Sequence, residues 1–195
     1  MARRGFWCRH GRSGGGAGAE QHRRVRDAIR LLPPGVIFVP LNVCLVAPEL
    51  VTILANCSPR LLVHDEAFVG LAAKAGPVAV SVAALSAAVS GFEQAAASGR
   101  HPGPYAETTL EEVSTILYTF GTTGLPKGVI ATHGMNLFNA VNLDGLAELS
   151  DRSVLLCVLP LLHTGGLDVY ANPVFHVGGT AVIMPASAAC RLRSR

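Results

Sequence analysis

The sequence predicts an α/β protein with a largely parallel sheet and flanking helices. Short apolar runs alternate with longer segments in which apolar residues recur every three or four positions. Strands and helices that alternate in this way form βαβ units, whose parallel strands are covered on both faces. Half of the 195 residues are hydrophobic and 15% are charged, which supports one buried core and excludes a disordered chain.

The first half of the chain contains three predicted strands, at residues 35–42, 60–63 and 78–82. A helix after the first strand is predicted from Pro48, which a first helical turn tolerates, and from the apolar periodicity around Ile53. Asp65 is the expected N-cap of a second helix that ends near Lys74. An Ala-rich helix is predicted after the third strand.

The second half continues the alternation, with strands predicted at residues 115–119, 128–132, 154–159 and 180–184. A helix is predicted from about Met135 to Leu149, and a loop at residues 120–127. A glycine-containing loop at residues 163–166 precedes a further helical segment. We expect Pro173 to interrupt that segment, because proline lacks the amide hydrogen that a helix interior needs.

The basic residues are concentrated at the two ends of the chain. Residues 1–30 carry eight arginines and two acidic residues, residues 191–195 carry three more arginines, and residues 31–190 hold five basic and eleven acidic residues. We expect residues 1–30 to be an Arg- and Gly-rich tail, either disordered or read from a non-native frame. Residues 191–195 are expected to form a basic tail. A nucleic-acid-binding domain carries its basic residues on the folded surface, so no nucleic-acid partner is predicted.

Cysteine and histidine spacing gives no sign of a metal site. The five cysteines contain no CxxC pair, and the seven histidines show no HxxxH spacing. We therefore predict reduced cysteines and no protein-held metal. No stretch reaches the roughly 18 to 20 unbroken apolar residues that a membrane span needs, and the N-terminus does not resemble a signal peptide. The prediction is a cytoplasmic protein without a transmembrane segment.

Residues 118–128 (YTFGTTGLPKG) form the segment most indicative of chemistry. Its glycines let backbone amides approach a ligand, its threonines supply hydroxyl donors, and Lys127 supplies a mobile positive charge suited to phosphate. It is not a Walker A loop, because Pro126 precedes the lysine and Gly128 follows it. A polyanion-binding loop is the functional interpretation, and a Gly/Thr-rich turn between two strands is the structural alternative.

The same segment resembles the phosphate-binding signature of the adenylate-forming (AMP-binding) superfamily, YTSGTTGxPKG, and nine fixed positions match. Residues 38–42 (FVPLN) and 159–166 are similar to flanking regions of that family, and the similarity extends from about residue 35 to residue 185. The HTGGL run at residues 163–167 is most similar to fatty-acyl-CoA synthetases and related acid–CoA ligases. The resemblance implies that residues 31–190 are a partial AMP-binding N-terminal domain, a fragment of the family's fold.

The resemblance implies a two-step ligation of a carboxylic acid, with a fatty acid as the expected substrate. The carboxylate attacks ATP, supplied with Mg²⁺, to give an acyl-adenylate and pyrophosphate, and the thiol of coenzyme A then displaces AMP. The residues implied to bind the ATP phosphates are Thr119, Gly121, Thr122, Thr123, Gly124 and Lys127. Those implied to lie at the acyl and CoA site are His163, Gly165 and Gly166. His163 is expected to position substrate rather than to act as a base, and no residue is assigned as catalytic.

Two departures from the family pattern bear on activity. Phe120 stands where the family usually has serine, so an apolar ring replaces a hydroxyl that could donate to phosphate. The family's later magnesium, ribose and adenylation motifs do not occur in these 195 residues. The alternative function is therefore a catalytically inactive truncated fragment or pseudogene product that keeps part of the phosphate-binding fold. A partial sheet would also expose apolar surface, which predicts self-association.

Overall fold

A computed structural model of the chain describes residues 4–8, 35–42, 44–59, 61–64, 68–74, 81–84, 108–120 and 125–183. The strands are β1 Arg4–Cys8, β2 Val36–Phe38, β3 Leu61–His64, β4 Ser81–Ala84, β5 Val113–Phe120, β6 Pro126–Thr132, β7 Val154–Cys157 and β8 Thr180–Ile183. The α-helices are α1 Ala47–Cys57, α2 Val69–Ala73, α3 His133–Ala147 and α4 Asn172–His176, and a π-helix covers Gly165–Ala171.

Six strands form one sheet in the order β4-β3-β1-β2-β5-β6. Every neighbouring pair in it is parallel except β5 and β6, which form an antiparallel hairpin. Strands β7 and β8 form a separate parallel pair, and the π-helix and α4 connect them along the chain. The predicted α/β class and largely parallel sheet are confirmed.

Strand β1 lies in the interior of the sheet and pairs with β2 on one side and β3 on the other. Its backbone fills the space between two strands that do not pair with each other, so it satisfies main-chain groups on both. At these five residues the structure differs from the expectation of a tail, because the Phe-Trp-Cys run has the aromatic character that strands favour. The rest of residues 1–30 and residues 191–195 lie outside the described part of the chain.

Helix α1 forms where the apolar periodicity predicts it and supplies the centre of the core. Leu50, Ile53 and Leu54 are at most 1% exposed and pack with apolar residues of β3 and of the segment after β2. The helix starts with the Glu49 carboxylate accepting a hydrogen bond from the Val46 amide at 3.1 Å. It ends at Ser58, whose left-handed φ of 45° stops the helical repeat.

Helix α3 occurs as predicted, but both of its ends lie two residues earlier than the expected 135–149. It begins at His133 because the Thr132 hydroxyl accepts a hydrogen bond from the Met135 amide at 3.2 Å, which caps the first turn. Glu148 has a left-handed φ of 51° and ends the helix. The second predicted helix is also shorter than expected, since α2 covers Val69–Ala73 and its proposed cap, Asp65, lies outside the described residues.

The expectation that Pro173 interrupts a helix was wrong. The π-helix and α4 run on without a break, and Pro173 occupies the first turn of α4. In the wider π-helical turn the Asn172 amide bonds to the Leu167 carbonyl, five residues earlier, so the Asp168 carbonyl would need an amide hydrogen from Pro173. Proline has none, and the Asn139 side-chain amide of α3 donates to that carbonyl at 2.7 Å instead.

The thiols divide into two kinds. Cys57 and Cys157 are free, as predicted, whereas Cys44 is disulfide-bonded, so the expectation of reduced cysteines was wrong for that residue. Within the described ranges, no helix combines the length and the apolar character that crossing a bilayer requires.

The core around α1 predicts a large difference between two leucine truncations. Leu54→Ala should lower the free energy of unfolding by about 2–5 kcal/mol, because it leaves a cavity at a side chain that is 0% exposed. The same change at Leu146, which is 83% exposed on α3, should alter it by less than about 0.5 kcal/mol. Chemical denaturation followed by circular dichroism measures both, and equal effects would contradict the assignment of α1 to the core.

Candidate functional site

The β5–β6 hairpin brings two of the predicted phosphate ligands together. Thr119 on β5 pairs directly with Lys127 on β6, and both side chains are exposed. The four remaining predicted ligands (Gly121, Thr122, Thr123 and Gly124) lie outside the described residues. Both strands extend further toward the turn than predicted, so the loop that joins them is shorter than residues 120–127.

The two faces of this hairpin have different surroundings. Tyr118 pairs with Gly128, and Tyr118 and Ile116 pack against the core cluster that α1 supplies. Because side chains alternate along a strand, Thr119 and Lys127 lie together on the opposite face. One face of the hairpin therefore packs against the α1 cluster. The other face buries Leu117 and presents the Thr119 hydroxyl and the Lys127 ammonium group at its exposed end.

Gly128 is required by the packing of this hairpin. A Cβ atom at Gly128 would lie 2.8 Å from Ile116 Cγ2, closer than carbon atoms pack, and 3.1 Å from Tyr118 Cζ, which is an unusually tight contact. The missing side chain therefore lets the Tyr118 ring lie across the neighbouring strand. The sequence suggested a ligand-binding role for this glycine, and the structure gives it a packing role.

The Tyr118 hydroxyl ties the hairpin to the end of α1. It donates a hydrogen bond to Asn56 Oδ1 at 2.5 Å, beside the Cys57 thiol, which donates to the Ile53 carbonyl at 2.6 Å. Burial raises the pKa of the Cys57 thiol to about 11, and burial together with the neighbouring thiol raises the pKa of the Tyr118 phenol. Both groups are therefore neutral near pH 7, and the link is a set of uncharged hydrogen bonds.

The second group of predicted site residues lies at the start of the π-helix. The His163 main chain is fixed on both sides, since its amide donates to the Pro160 carbonyl at 3.1 Å and its carbonyl accepts from the Leu167 amide at 3.0 Å. Its ring folds back, and Nδ1 accepts a hydrogen bond from the Gly165 amide at 3.1 Å. The residue as a whole is exposed.

Gly165 and Gly166 allow the π-helix to contact the segment that leaves β7. A Cβ atom at Gly166 would collide with the Pro160 carbonyl oxygen and lie 2.7 Å from that of Leu159, and one at Gly165 would lie 2.8 Å from Leu159 Cδ1. The fully buried Cys157 thiol adds hydrogen bonds to the Leu159 and Gly166 carbonyls at 3.3 and 3.4 Å. Burial raises the pKa of this thiol. Close packing therefore explains the absence of a side chain at both positions, independently of any ligand.

Sequence reasoning missed a polar cluster on the π-helix. The Asp168 carboxylate accepts a hydrogen bond from the Asn172 side-chain amide at 3.0 Å, while Asn139 binds the Asp168 carbonyl. Burial raises the pKa of Asp168, and the bond from Asn172 opposes that rise. The spacing of four residues between Asp168 and Asn172 is the sequence signal that could have predicted a shared helical face.

The phosphate residues and the His163 group lie on different segments. In the part of the chain that the structure describes, no hydrogen bond joins Thr119 or Lys127 to His163, Gly165 or Gly166. The same residues contain no group of three or more His, Cys, Asp or Glu side chains placed to hold a metal ion. The predicted absence of a protein-held metal remains a prediction.

Comparison with known proteins identifies the family. The family model described as AMP-binding enzyme matches residues 32–194, which is most of the chain. The chain therefore belongs to the AMP-binding enzyme family, as the nine signature positions predicted.

Several relatives are CoA ligases by name. The chain is 35% identical over 161 residues to an indoleacetate–CoA ligase of Aromatoleum aromaticum, covering 77% of this chain and 31% of the relative. It is 33% identical over 156 residues to a feruloyl-CoA synthase of an Amycolatopsis species, covering 78% and 29%. The chain spans about a third of the length of these relatives.

Solved structures support the fold. ATP-bound MatB from Rhodopseudomonas palustris matches with a TM-score of 0.76 at 24% identity, over 98% of this chain and 37% of that one. The anthranilate CoA ligase AuaEII, in complex with anthranoyl-AMP, matches with a TM-score of 0.73 at 22% identity, over 95% and 35%. This likeness confirms a partial adenylate-forming fold.

The packing of the π-helix predicts opposite effects for two glycine substitutions. Gly166→Ala should destabilise the protein by about 3 kcal/mol, because the new methyl group meets backbone carbonyls that cannot move aside. Gly145→Ala in α3 should stabilise it by about 0.5–1 kcal/mol, since nothing lies within 4 Å of a Cβ atom there and alanine favours a helix. Thermal unfolding measures both variants. A tolerated Gly166→Ala would contradict the close approach of the π-helix to β7.

Proposed function

We propose that the chain supplies the ATP-phosphate-binding part of an AMP-forming acid–CoA ligase. The observation that carries this proposal is the pairing of Thr119 with Lys127 on the face of the hairpin that does not pack against α1. Family membership and relatives that are CoA ligases by name support it. A buried lysine at this position would have argued against it.

The chemistry follows from the two exposed groups and the loop between them. The Lys127 ammonium would offset the negative charge of the β- and γ-phosphates as pyrophosphate departs, and the Thr119 hydroxyl would donate a hydrogen bond to a phosphate oxygen. Backbone amides of residues 121–124 are proposed to complete the contact. Mg²⁺ is expected to arrive with ATP, and we assign no residue of this chain to hold it.

The proposed substrate is a carboxylic acid, which the ligase would join to coenzyme A. The HTGGL run favours a fatty acid, whereas the names of the relatives concern indoleacetate, ferulate and 2-succinylbenzoate, which are acids with aromatic rings. ATP–pyrophosphate exchange with octanoate and indoleacetate as probes distinguishes these classes. Exchange with octanoate alone would support the fatty-acid assignment.

The second candidate function is a catalytically inactive fragment that keeps part of the phosphate-binding fold. Its support is Phe120, which stands where the family usually has serine and so removes a hydroxyl that could donate to phosphate. This candidate predicts ATP binding through the hairpin without pyrophosphate exchange for any acid.

Removing the lysine charge tests the phosphate assignment. Lys127→Ala should weaken ATP binding about ten- to a hundredfold, because a hydrogen bond to a charged group is worth about 1.5–3 kcal/mol. Lys74→Ala, which removes an exposed lysine at the end of α2, is the matched control and should leave binding unchanged. Isothermal titration calorimetry measures both.

The neighbouring position gives a variant with the opposite expected effect. Phe120→Ser should tighten ATP binding, because it restores the hydroxyl that the family signature carries. Equal affinities for the unmodified chain, Lys127→Ala and Phe120→Ser would contradict phosphate binding at this hairpin.

We also propose that copies of this chain associate through the β7–β8 pair. Cys157 on one face is buried, whereas Val154, Leu156 and Val182 on the other are 70%, 50% and 40% exposed. Parallel strands are normally covered on both faces. In a solution of this chain alone, a second copy is the available occupant.

Sedimentation velocity tests this association. Leu156→Lys should shift the chain toward monomer, because it places a charge in the centre of the apolar face. Leu146→Lys on α3 is the control for added charge and should leave the distribution unchanged. A monomeric unmodified chain at all concentrations would contradict the proposal.

A further inference from the structure

The part of the β5–β6 hairpin nearest its turn, residues 117–120 and 126–128, extends beyond the neighbouring strand β2. Strand β2 ends at Phe38, which pairs with Thr115, whereas β5 continues past that pair. On its other side, β6 is the last strand of the described sheet. The pair of residues proposed to bind phosphate belongs to this turn-proximal part. Contacts between side chains therefore contribute to the position of this part relative to the core.

Tyr118 links the turn-proximal part to α1. Its ring packs against the core cluster beside α1, and its hydroxyl donates a hydrogen bond to Asn56 Oδ1 at 2.5 Å. Among the described residues of the turn-proximal part, Tyr118 is the one whose side chain is hydrogen-bonded to another element of the fold. The hydroxyl is therefore the polar attachment of this part of the hairpin to the helix.

Asn56 is held in place by the helix that carries it. It lies in the last turn of α1, where Ile53 and Leu54 are 0% exposed. The Ser58 amide donates to the Leu54 carbonyl at 2.9 Å and closes that turn. The acceptor for the Tyr118 hydroxyl therefore belongs to a well-packed helix and not to a loop.

We infer that Tyr118 is a positioning residue for ATP binding, whose hydroxyl, bound to Asn56, holds Lys127 where its ammonium group meets the phosphates. Tyr118 faces α1, so it does not touch a ligand on the opposite face of the hairpin. It acts through the main chain, because its neighbour Thr119 pairs directly with Lys127. The inference rests on the proposed function, which assigns the phosphates to this pair.

The surroundings of this hydrogen bond favour an effect on positioning over an effect on stability. Asn56 is exposed, so water can replace either partner, and loss of the bond changes the free energy of unfolding little. A hairpin released from α1 would still present Lys127 in more positions, and ATP binding would have to restrict them. We therefore expect a loss of affinity without a matching loss of stability.

Two substitutions remove the hydrogen bond from either side. Tyr118→Phe keeps the ring across Gly128 and deletes only the hydroxyl, whereas Asn56→Ala deletes the acceptor. The matched controls are Tyr170→Phe, which removes a hydroxyl from a half-buried residue of the π-helix, and Asn142→Ala, which shortens an exposed residue of α3. Both controls should bind ATP as the unmodified chain does.

The first measurement is isothermal titration calorimetry with ATP. Tyr118→Phe and Asn56→Ala should each weaken binding about three- to tenfold, the effect of one neutral hydrogen bond, and the double variant should bind no more weakly than either single one. In the Lys127→Ala background, Tyr118→Phe should have little further effect, because the lysine is the group that it positions. A residue that serves folding alone would lower the unfolding temperature and leave the ATP affinity unchanged. That result, or a full additional loss in the Lys127→Ala background, would overturn the inference.

The second measurement is ¹⁵N relaxation of the Lys127 amide by NMR. Its order parameter should fall in Tyr118→Phe and in Asn56→Ala and stay unchanged in the two controls, because the hairpin is released from α1. An unchanged value in all variants would show that the hydroxyl does not hold the hairpin. If ATP does not bind the unmodified chain, the proposed function fails and the positioning role fails with it. The relaxation data then still decide whether Tyr118 holds the hairpin to α1.

Discussion

The packing of Tyr118 across Gly128 is the interaction on which the arrangement of the hairpin depends. Ile116 and Tyr118 on one face of the hairpin pack against the core cluster beside α1, and the Tyr118 hydroxyl donates a hydrogen bond to Asn56. Strand alternation then places Thr119 and Lys127 on the opposite face, where both are exposed although Leu117 on the same face is buried. The availability of the ammonium group for an anion is thus a consequence of how the other face of the hairpin packs.

A second constraint orders the segment after β7. The π-helical turn leaves the Asp168 carbonyl without a main-chain donor because Pro173 has no amide hydrogen, and Asn139 of α3 supplies the missing bond. Together with the contact of Gly166 and Pro160, this fixes the π-helix between α3 and the end of β7. His163 lies just before the π-helix, so these tertiary contacts determine the position of its main chain.

Two glycines within the family's motifs have a packing role here. Gly128 and Gly166 are required because a side chain would collide with a neighbouring strand or carbonyl, independently of any ligand. A motif match alone does not distinguish such positions from glycines whose amides contact phosphate. The chain spans about a third of its relatives' length. Among the described residues, one face of the β7–β8 pair is exposed, whereas parallel sheets are normally covered on both faces.

The sequence by itself determined the α/β class, helix α1, the β5 strand and the family, because these depend on local periodicity and on a motif of contiguous residues. It also identified Thr119, Lys127 and His163 as polar groups of interest. Only the tertiary structure decided that β1 lies inside the sheet, that Pro173 continues a helix, and that Gly166 is a packing residue. The position of β1 and the tolerance of Pro173 depend on partners far away in the chain, a neighbouring strand and the Asn139 amide. The packing role of Gly166 depends on how the chain folds back onto the nearby Pro160 carbonyl. Neither kind of contact is specified by the local sequence pattern.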